Sequence, residues 1–225
     1  MAPLVNLVTP YHQRTQRDYL ARMVDDKVHC MEKAREYGFD YWDGDRRYGY
    51  GGYKYDGRWK PLAKQIIKRY GLTNESRVLD VGCGKAHLLH ELLVLLPLAY
   101  MEGFDVSAYG LKDAPEPPRF SRPVLAIGNA QDVRCYQYPD GHFDLVLCCG
   151  VLHNLKNWER DAALQEIERV GKQKYLWVES YRNAQEQFNL ECWALTCWAF
   201  QTPEEWVYEF QRNGYTGDYE FVYFT

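Results

Sequence analysis

No apolar stretch in these 225 residues approaches the ~18 consecutive positions that a membrane-crossing helix requires. The segment from Met1 to Pro10 has no basic n-region of the kind that opens a secretory signal. Basic runs are missing too: 27 Lys and Arg are scattered against 31 Asp and Glu, giving a net charge of −4 and a pI near 5.9. Phosphate recognition needs a concentrated basic surface, so a nucleic-acid partner is disfavoured. Cysteine is present but unorganised. The seven residues are odd in number and show no CxxC spacing. Adjacent Cys148 and Cys149, on an expected buried strand, point to opposite faces. Reduced thiols packed as small hydrophobes are the expectation. Repeats and low-complexity tracts are also lacking. Together these absences predict a soluble, cytoplasmic protein with neither a nucleic-acid nor a membrane partner.

What is there is apolar and aromatic. Apolar residues make up 46% and aromatics 16%, with 19 Tyr and 7 Trp, which excludes a disordered chain. The length suits one globular unit with a sizeable core. We expect an amino-terminal helical and aromatic extension over residues 1–60 and the main domain over 61–225. From Tyr11 to Glu36, apolar residues at Tyr19, Leu20, Met23, Val24, Val28, Met31 and Ala34 predict an amphipathic helix with one covered face. Pro61 begins a second helix that Gly71 ends. Beyond it strands and helices alternate. Strands are expected near Tyr100 to Phe104, Val124 to Ile127, Phe143 to Cys148 and Tyr175 to Glu179, and helices near Lys85 to Leu95 and Trp158 to Val170. Such alternation predicts a mostly parallel sheet with right-handed crossovers. Three prolines between Asp113 and Arg122 make one flanking helix short. Thr202-Pro203-Glu204-Glu205 starts a helix, and Tyr219 to Phe224 makes a last strand.

The most informative run is Arg77-Val78-Leu79-Asp80-Val81-Gly82-Cys83-Gly84-Lys85. It reads as a buried strand ending at a tight glycine turn, where the backbone can approach a ligand with no Cβ in the way. A helix opens directly after it, so free N–H groups face the same space. A dinucleotide fingerprint would place a third glycine at position 87, where this chain has His87. Val78 to Gly84 resembles motif I of the class I S-adenosylmethionine-dependent methyltransferases.

Three later segments extend the resemblance over roughly residues 76 to 179. Gly103-Phe104-Asp105 places a carboxylate ~20 residues on, suited to a ribose diol. Gly128-Asn129-Ala130 resembles the adenine-contacting segment, with Asn129 in place of an acid. Phe143 to Leu155 resembles the fourth strand and the loop after it. The resemblance implies a Rossmann-like, doubly wound, mostly parallel α/β sheet flanked by helices, and S-adenosyl-L-methionine as cofactor. The cofactor-binding residues it implies are Asp80, Gly82, Gly84, Asp105, Asn129, Ala130 and Cys149. The family's usual sheet closes with a two-strand hairpin, whereas this chain offers one strand.

The aromatic stretch Tyr41 to Trp59 is expected as a lid or rim at the carboxyl ends of the strands, where aromatic faces attract a sulfonium. Arg58 is the candidate clamp for the cofactor's methionine carboxylate. A helix within Asn183 to Gln201 is expected over the acceptor site. His153 ranks first as proton acceptor by position and unperturbed pKa, and Glu179 and Tyr181 rank second. His87 and His90 lie i, i+3 without an acid or Cys to complete a zinc set, so no metal is expected. The leading reading is methyl transfer to a hydroxyl or amine of a small polar molecule such as a sugar, an amino acid or a natural-product intermediate. A nonenzymatic S-adenosylmethionine-binding partner protein and a nicotinamide oxidoreductase are the alternatives. The oligomeric state stays open, a homodimer included.

Overall fold

The computed structural model describes residues 3–13, 15–119, 121, 123–129 and 138–225. Six strands form one sheet: β1 (Arg77–Val81), β2 (Tyr100–Asp105), β3 (Val124–Ile127), β4 (Phe143–Cys149), β5 (Gly171–Glu179) and β6 (Asp218–Val222). Their order is β3-β2-β1-β4-β5-β6, and every neighbouring pair is parallel. The order reverses between β1 and β4, and ligands of open α/β sheets bind beyond the carboxyl ends of the strands at such a switch point.

Both faces are covered, as parallel strands demand. Successive strand residues point to opposite sides. Val78, Leu145 and Leu147 therefore pack against α5 (Lys60–Tyr70) and α6 (His87–Leu95), while Leu79, Val146 and Cys148 pack against α8 (Asn157–Val170) and α10 (Pro203–Arg212). Helix boundaries follow the local chemistry. Pro61 sits in the first turn of α5, and Gly71 ends it at φ 63°. Thr202 and Glu205 close a reciprocal capping box on α10. Between β2 and β3 the prolines leave only the short α7 (Ala108–Lys112).

The amino-terminal segment departs from expectation. Instead of one helix from Tyr11 to Glu36 there are three: α1 (Thr9–His12), α2 (Tyr19–Val24) and α3 (Lys27–Ala34). Asp18 accepts from the Ala21 N–H, and Asp26, in the left-handed region at φ 36°, accepts from the His29 N–H. Each Asp starts a helix of its own. The break in periodicity leaves Leu20, Val24 and Val28 at 60, 73 and 68% exposure, not on a covered face. A fourth short helix, α4 (Phe39–Trp42), opens the aromatic stretch, and α9 (Ala184–Trp193) lies between β5 and α10.

The single last strand runs parallel to β5, and its outer edge is taken by the start of the chain. The Val5 N–H donates to the Tyr219 carbonyl at 2.9 Å, and the Tyr219 N–H to the Pro3 carbonyl at 3.2 Å. Beside them Glu220, fully buried, receives the N–H groups of Leu7, Val8 and Thr9 at 2.7 to 3.0 Å and the Tyr175 hydroxyl at 2.8 Å. A buried carboxylate with four donors is satisfied, and it fastens the extension to the sheet. Among the described residues no helix is long and apolar enough to cross a membrane.

Candidate active site

The glycine turn begins where β1 ends. Gly82 and Gly84 stand at φ 77° and 57°, a region that glycine enters freely. The N–H groups of Gly82 and Cys83 both donate to the Phe104 carbonyl, at 2.8 and 3.0 Å, which holds the turn against β2. Asp105, at the end of β2, accepts the Gly84 N–H on one oxygen and the Ser107 N–H on the other, each at 2.8 Å. Burial raises the Asp105 carboxyl above its ordinary value, and these hydrogen bonds oppose the rise. A Cβ on Gly82 would come within 2.3 Å of a Val151 methyl. Only glycine keeps this approach open.

Asp80 is buried at 3% exposure, and its Oδ1 has no hydrogen-bond partner. Burial, with Asp105 nearby, pushes its carboxyl up to about 7. Beyond the turn is a cleft of about 210 Å³ whose walls include Gly82, Gly84, Asp105, Asn129 and Cys149. Ala130 lies outside the described residues.

The aromatic stretch forms the other wall, with Tyr37, Tyr41, Trp42 and Tyr50. Trp42 lies on Gly84, where an added Cβ would meet the indole at 2.8 Å, and its Nε1 donates to the Ser107 hydroxyl at 2.8 Å. Tyr50 stacks on Trp42 at 5.3 Å and 7°, and Tyr53 stacks on His87 at 4.8 Å and 9°. One buried cation fastens this assembly. Lys85, directly after the turn, extends a fully buried ammonium to Asp43 and Asp113, each at 2.6 Å. Asp43 also receives the Tyr109 hydroxyl at 2.8 Å and the Tyr53 N–H at 3.0 Å.

Tyr41 and Tyr50 are shared with a second cavity of about 350 Å³. Glu179, the last residue of β5, is on its wall, and burial pushes that carboxyl up to about 7 although Arg17 works against the rise. His153 lies on neither wall. Its ring is buried, its Nδ1 accepts the Glu179 backbone N–H at 3.2 Å, and its Nε2 is 3.6 Å from the Glu179 carboxylate. Burial, reinforced by Arg160, lowers its pKa to about 3, so it stays neutral. Tyr181 is also off both walls. Arg58 is on the wall of the second cavity and not of the cleft, with its guanidinium engaged by Asp56 at 2.6 to 2.9 Å. A wider depression of about 440 Å³, lined by Arg69, Gln173, Lys174 and Asp218, sits at the amino ends of β5 and β6, away from the glycine turn.

Sequence reasoning missed several wall residues. Arg17, Arg22 and Arg46 gather around Trp193 of α9, from segments that read as a solvated helix face and a loop. Lys85 was legible only as part of the turn. A lysine directly behind a glycine turn, with Asp43 inside a glycine-rich aromatic stretch, is the signal that could have paired them.

The family described as "Methyltransferase domain" matches residues 72–214. The chain belongs to this methyltransferase family. Its cofactor is S-adenosylmethionine, and the glycine cradle and the Asp105 carboxylate in the cleft suit a ligand carrying a ribose diol. Asp80, with its unpartnered oxygen, is buried and not on the cleft wall. No curated protein sequence matches the chain. Solved structures share the methyltransferase fold at low identity. The YcgJ protein from Bacillus subtilis is 21% identical over 67% of this chain and 66% of its own, with a TM-score of 0.50. This chain therefore spans slightly less than two thirds of that relative's length. A S-adenosylmethionine-dependent methyltransferase from Archaeoglobus fulgidus is 19% identical over 69% and 68%, with a TM-score of 0.51. A methyltransferase-like protein from Bacillus halodurans is 18% identical over 68% of both chains, with a TM-score of 0.54.

Proposed function

We propose that the protein transfers the methyl of S-adenosylmethionine to a hydroxyl or amine of a small polar molecule held in the second cavity. One observation carries this reading: a cavity sized for a small molecule shares Tyr41 and Tyr50 with the cofactor cleft and carries Glu179 on its wall. Bound, S-adenosylmethionine supplies a methyl on a positively charged sulfur, already activated for attack by a lone pair. Asp105 would accept the ribose hydroxyls, Asn129 would meet the adenine edge, and Gly82, Gly84 and Cys149, on the wall of the cleft, would leave room for the methionine portion. Asp80, buried two residues before Gly82 with its carboxyl held up to about 7, would be drawn toward its charged form by a cation in the cleft.

The acceptor must lose a proton, and Glu179 is poised to take it, because a base works best with a pKa near the working pH. His153 acts behind it. By accepting the Glu179 N–H while its own Nε2 proton faces the carboxylate, the neutral ring fixes the orientation of the base. The negative protein charge supports a small acceptor over a nucleic acid.

The test is transfer of labelled methyl from S-adenosylmethionine to a panel of hydroxyl and amine acceptors. Glu179→Gln should lower kcat by ~10²–10⁴-fold while S-adenosylhomocysteine binding by calorimetry is retained. In the wild type, kcat/KM should climb with pH and level off above about 7. An unchanged kcat in Glu179→Gln would remove Glu179 from the reaction.

A further inference from the structure

The second cavity has a marked charge imbalance that proton transfer does not use. Three guanidiniums surround one indole: Arg17, Arg22 and Arg46 stand 5.4, 4.6 and 5.0 Å from the centre of the Trp193 ring, and all four residues are on the cavity wall. Among the described residues no carboxylate pairs with any of the three within 4.0 Å. Glu179 is the only carboxylate among the described wall residues. The fourth guanidinium, Arg58, already has Asp56. A chain of net charge −4 has thus placed a local excess of positive charge in one hollow.

Packing on Trp193 does not account for this arrangement. One arginine covers one face of an indole, whereas three brought together repel one another. The Nε atoms of Arg17 and Arg22 are buried without a hydrogen-bond partner, which is costly for a charged donor. Arg22 is held down to about 10 by burial and by Arg46, and Arg17 is lowered by burial with Arg46 contributing. Both effects are those an anion would relieve. Arg17 spends Nη1 and one Nη2 contact on the carbonyls of His12 and Thr15 and on the His12 ring, and Arg22 and Arg46 each give Nη1 to main-chain carbonyls. The Nη2 groups of Arg22 and Arg46 keep the planar geometry that grips carboxylate, sulfate or phosphate oxygens.

We propose that the acceptor bears an oxyanion, as a carboxylate, sulfate ester or phosphate ester, seated among Arg17, Arg22 and Arg46 on the cavity side of Trp193. The proposal rests on the methyl-transfer reading, since it names the acceptor class of that same site. The oxyanion anchors one end of the acceptor and leaves its hydroxyl or amine toward Glu179 and the cleft.

Inorganic sulfate serves as the probe. It is titrated into protein saturated with S-adenosylhomocysteine, with chloride at equal ionic strength as the control, following the arginine Nε–H resonances by ¹⁵N–¹H spectroscopy. Saturable shifts with sulfate and none with chloride are expected. Arg22→Gln and the more exposed Arg46→Gln should each weaken sulfate binding roughly tenfold, about the worth of one charge-assisted hydrogen bond, with Arg22→Lys recovering part of the loss. S-adenosylhomocysteine affinity, measured on the same samples, should not change. Sulfate shifts that never saturate, or that are equal in wild type and both Gln variants, would overturn the oxyanion site. Normal S-adenosylhomocysteine binding alongside that result would leave the methyl-transfer reading standing, while failure to bind S-adenosylhomocysteine would bring down the reading itself.

Discussion

Replacing Asp80 by Asn should stabilise the cofactor-free protein in mild alkali and weaken it in mild acid. Asp80 is 3% exposed, one oxygen has no partner, and its carboxyl rises from 3.8 to about 7. Because the folded pKa is raised, the folded state binds more protons than the unfolded state between about pH 4 and pH 7. Stability attributable to this group is therefore lost as pH rises through that window, and the loss is complete above about 7. A rise of about three units corresponds to on the order of 4 kcal/mol in full, and to roughly 2.5 kcal/mol between pH 5 and pH 8. Asn cannot ionise, but its amide would be in the same dry position and costs about 1–3 kcal/mol at every pH. The variant should therefore start no more stable than wild type at pH 5 and overtake it by pH 8. Urea denaturation of both proteins without cofactor, at the two pH values, measures this directly. The difference between variant and wild type cancels the other titrating groups, Glu179 among them. A difference that stays constant within about 0.5 kcal/mol from pH 5 to pH 8 would refute the account of Asp80 as a buried, strained acid.

Two further substitutions probe how the extension is fastened. Glu220→Ala removes the acceptor for three backbone N–H groups and the Tyr175 hydroxyl. It should cost about 3–5 kcal/mol in denaturation and speed hydrogen exchange over residues 4–9; a cost under about 1 kcal/mol would show that the carboxylate is not the fastening. Lys85→Met takes the cation from between Asp43 and Asp113. Limited proteolysis should then cut first between Tyr41 and Trp59, with S-adenosylhomocysteine affinity falling at least about tenfold, whereas an unchanged cleavage pattern would count against Lys85 as the anchor.

The main domain was legible because its signals are local. Val78 to Val81 and Phe143 to Cys149 are apolar except for Asp80 and Asp144, close to the near-continuous apolar runs of strands buried on both faces. Gly82 and Gly84 mark a turn that no other residue fits, and Thr202 with Glu205 spells out a helix start. The amino-terminal helix was misjudged because apolar spacing was weighed without its caps: Asp18 and Asp26 divide the segment, and their side chains compete with helix hydrogen bonds. The relation of His153 to Glu179 could not be read, because burial decides it. Two residues 26 apart in the chain meet once β4 and β5 lie side by side, with one ring sealed inside and one carboxylate left on the cavity wall. The arginine group was beyond reach for the same reason. Arg17, Arg22 and Arg46 read as solvated charges until α9 brings Trp193 beneath them.

The pairing of residues 3–5 with Tyr219 and the seating of residues 7–9 on Glu220 join two segments more than 200 residues apart. During synthesis residues 3–9 have no docking place until β6 emerges, although α2 can already meet α9, which precedes β6 in the chain. Until then the outer edge of the sheet is open to pairing with other chains. A form lacking β6 should consequently leave residues 3–9 undocked, and protection of their N–H groups from hydrogen exchange becomes a report that β6 has joined the sheet.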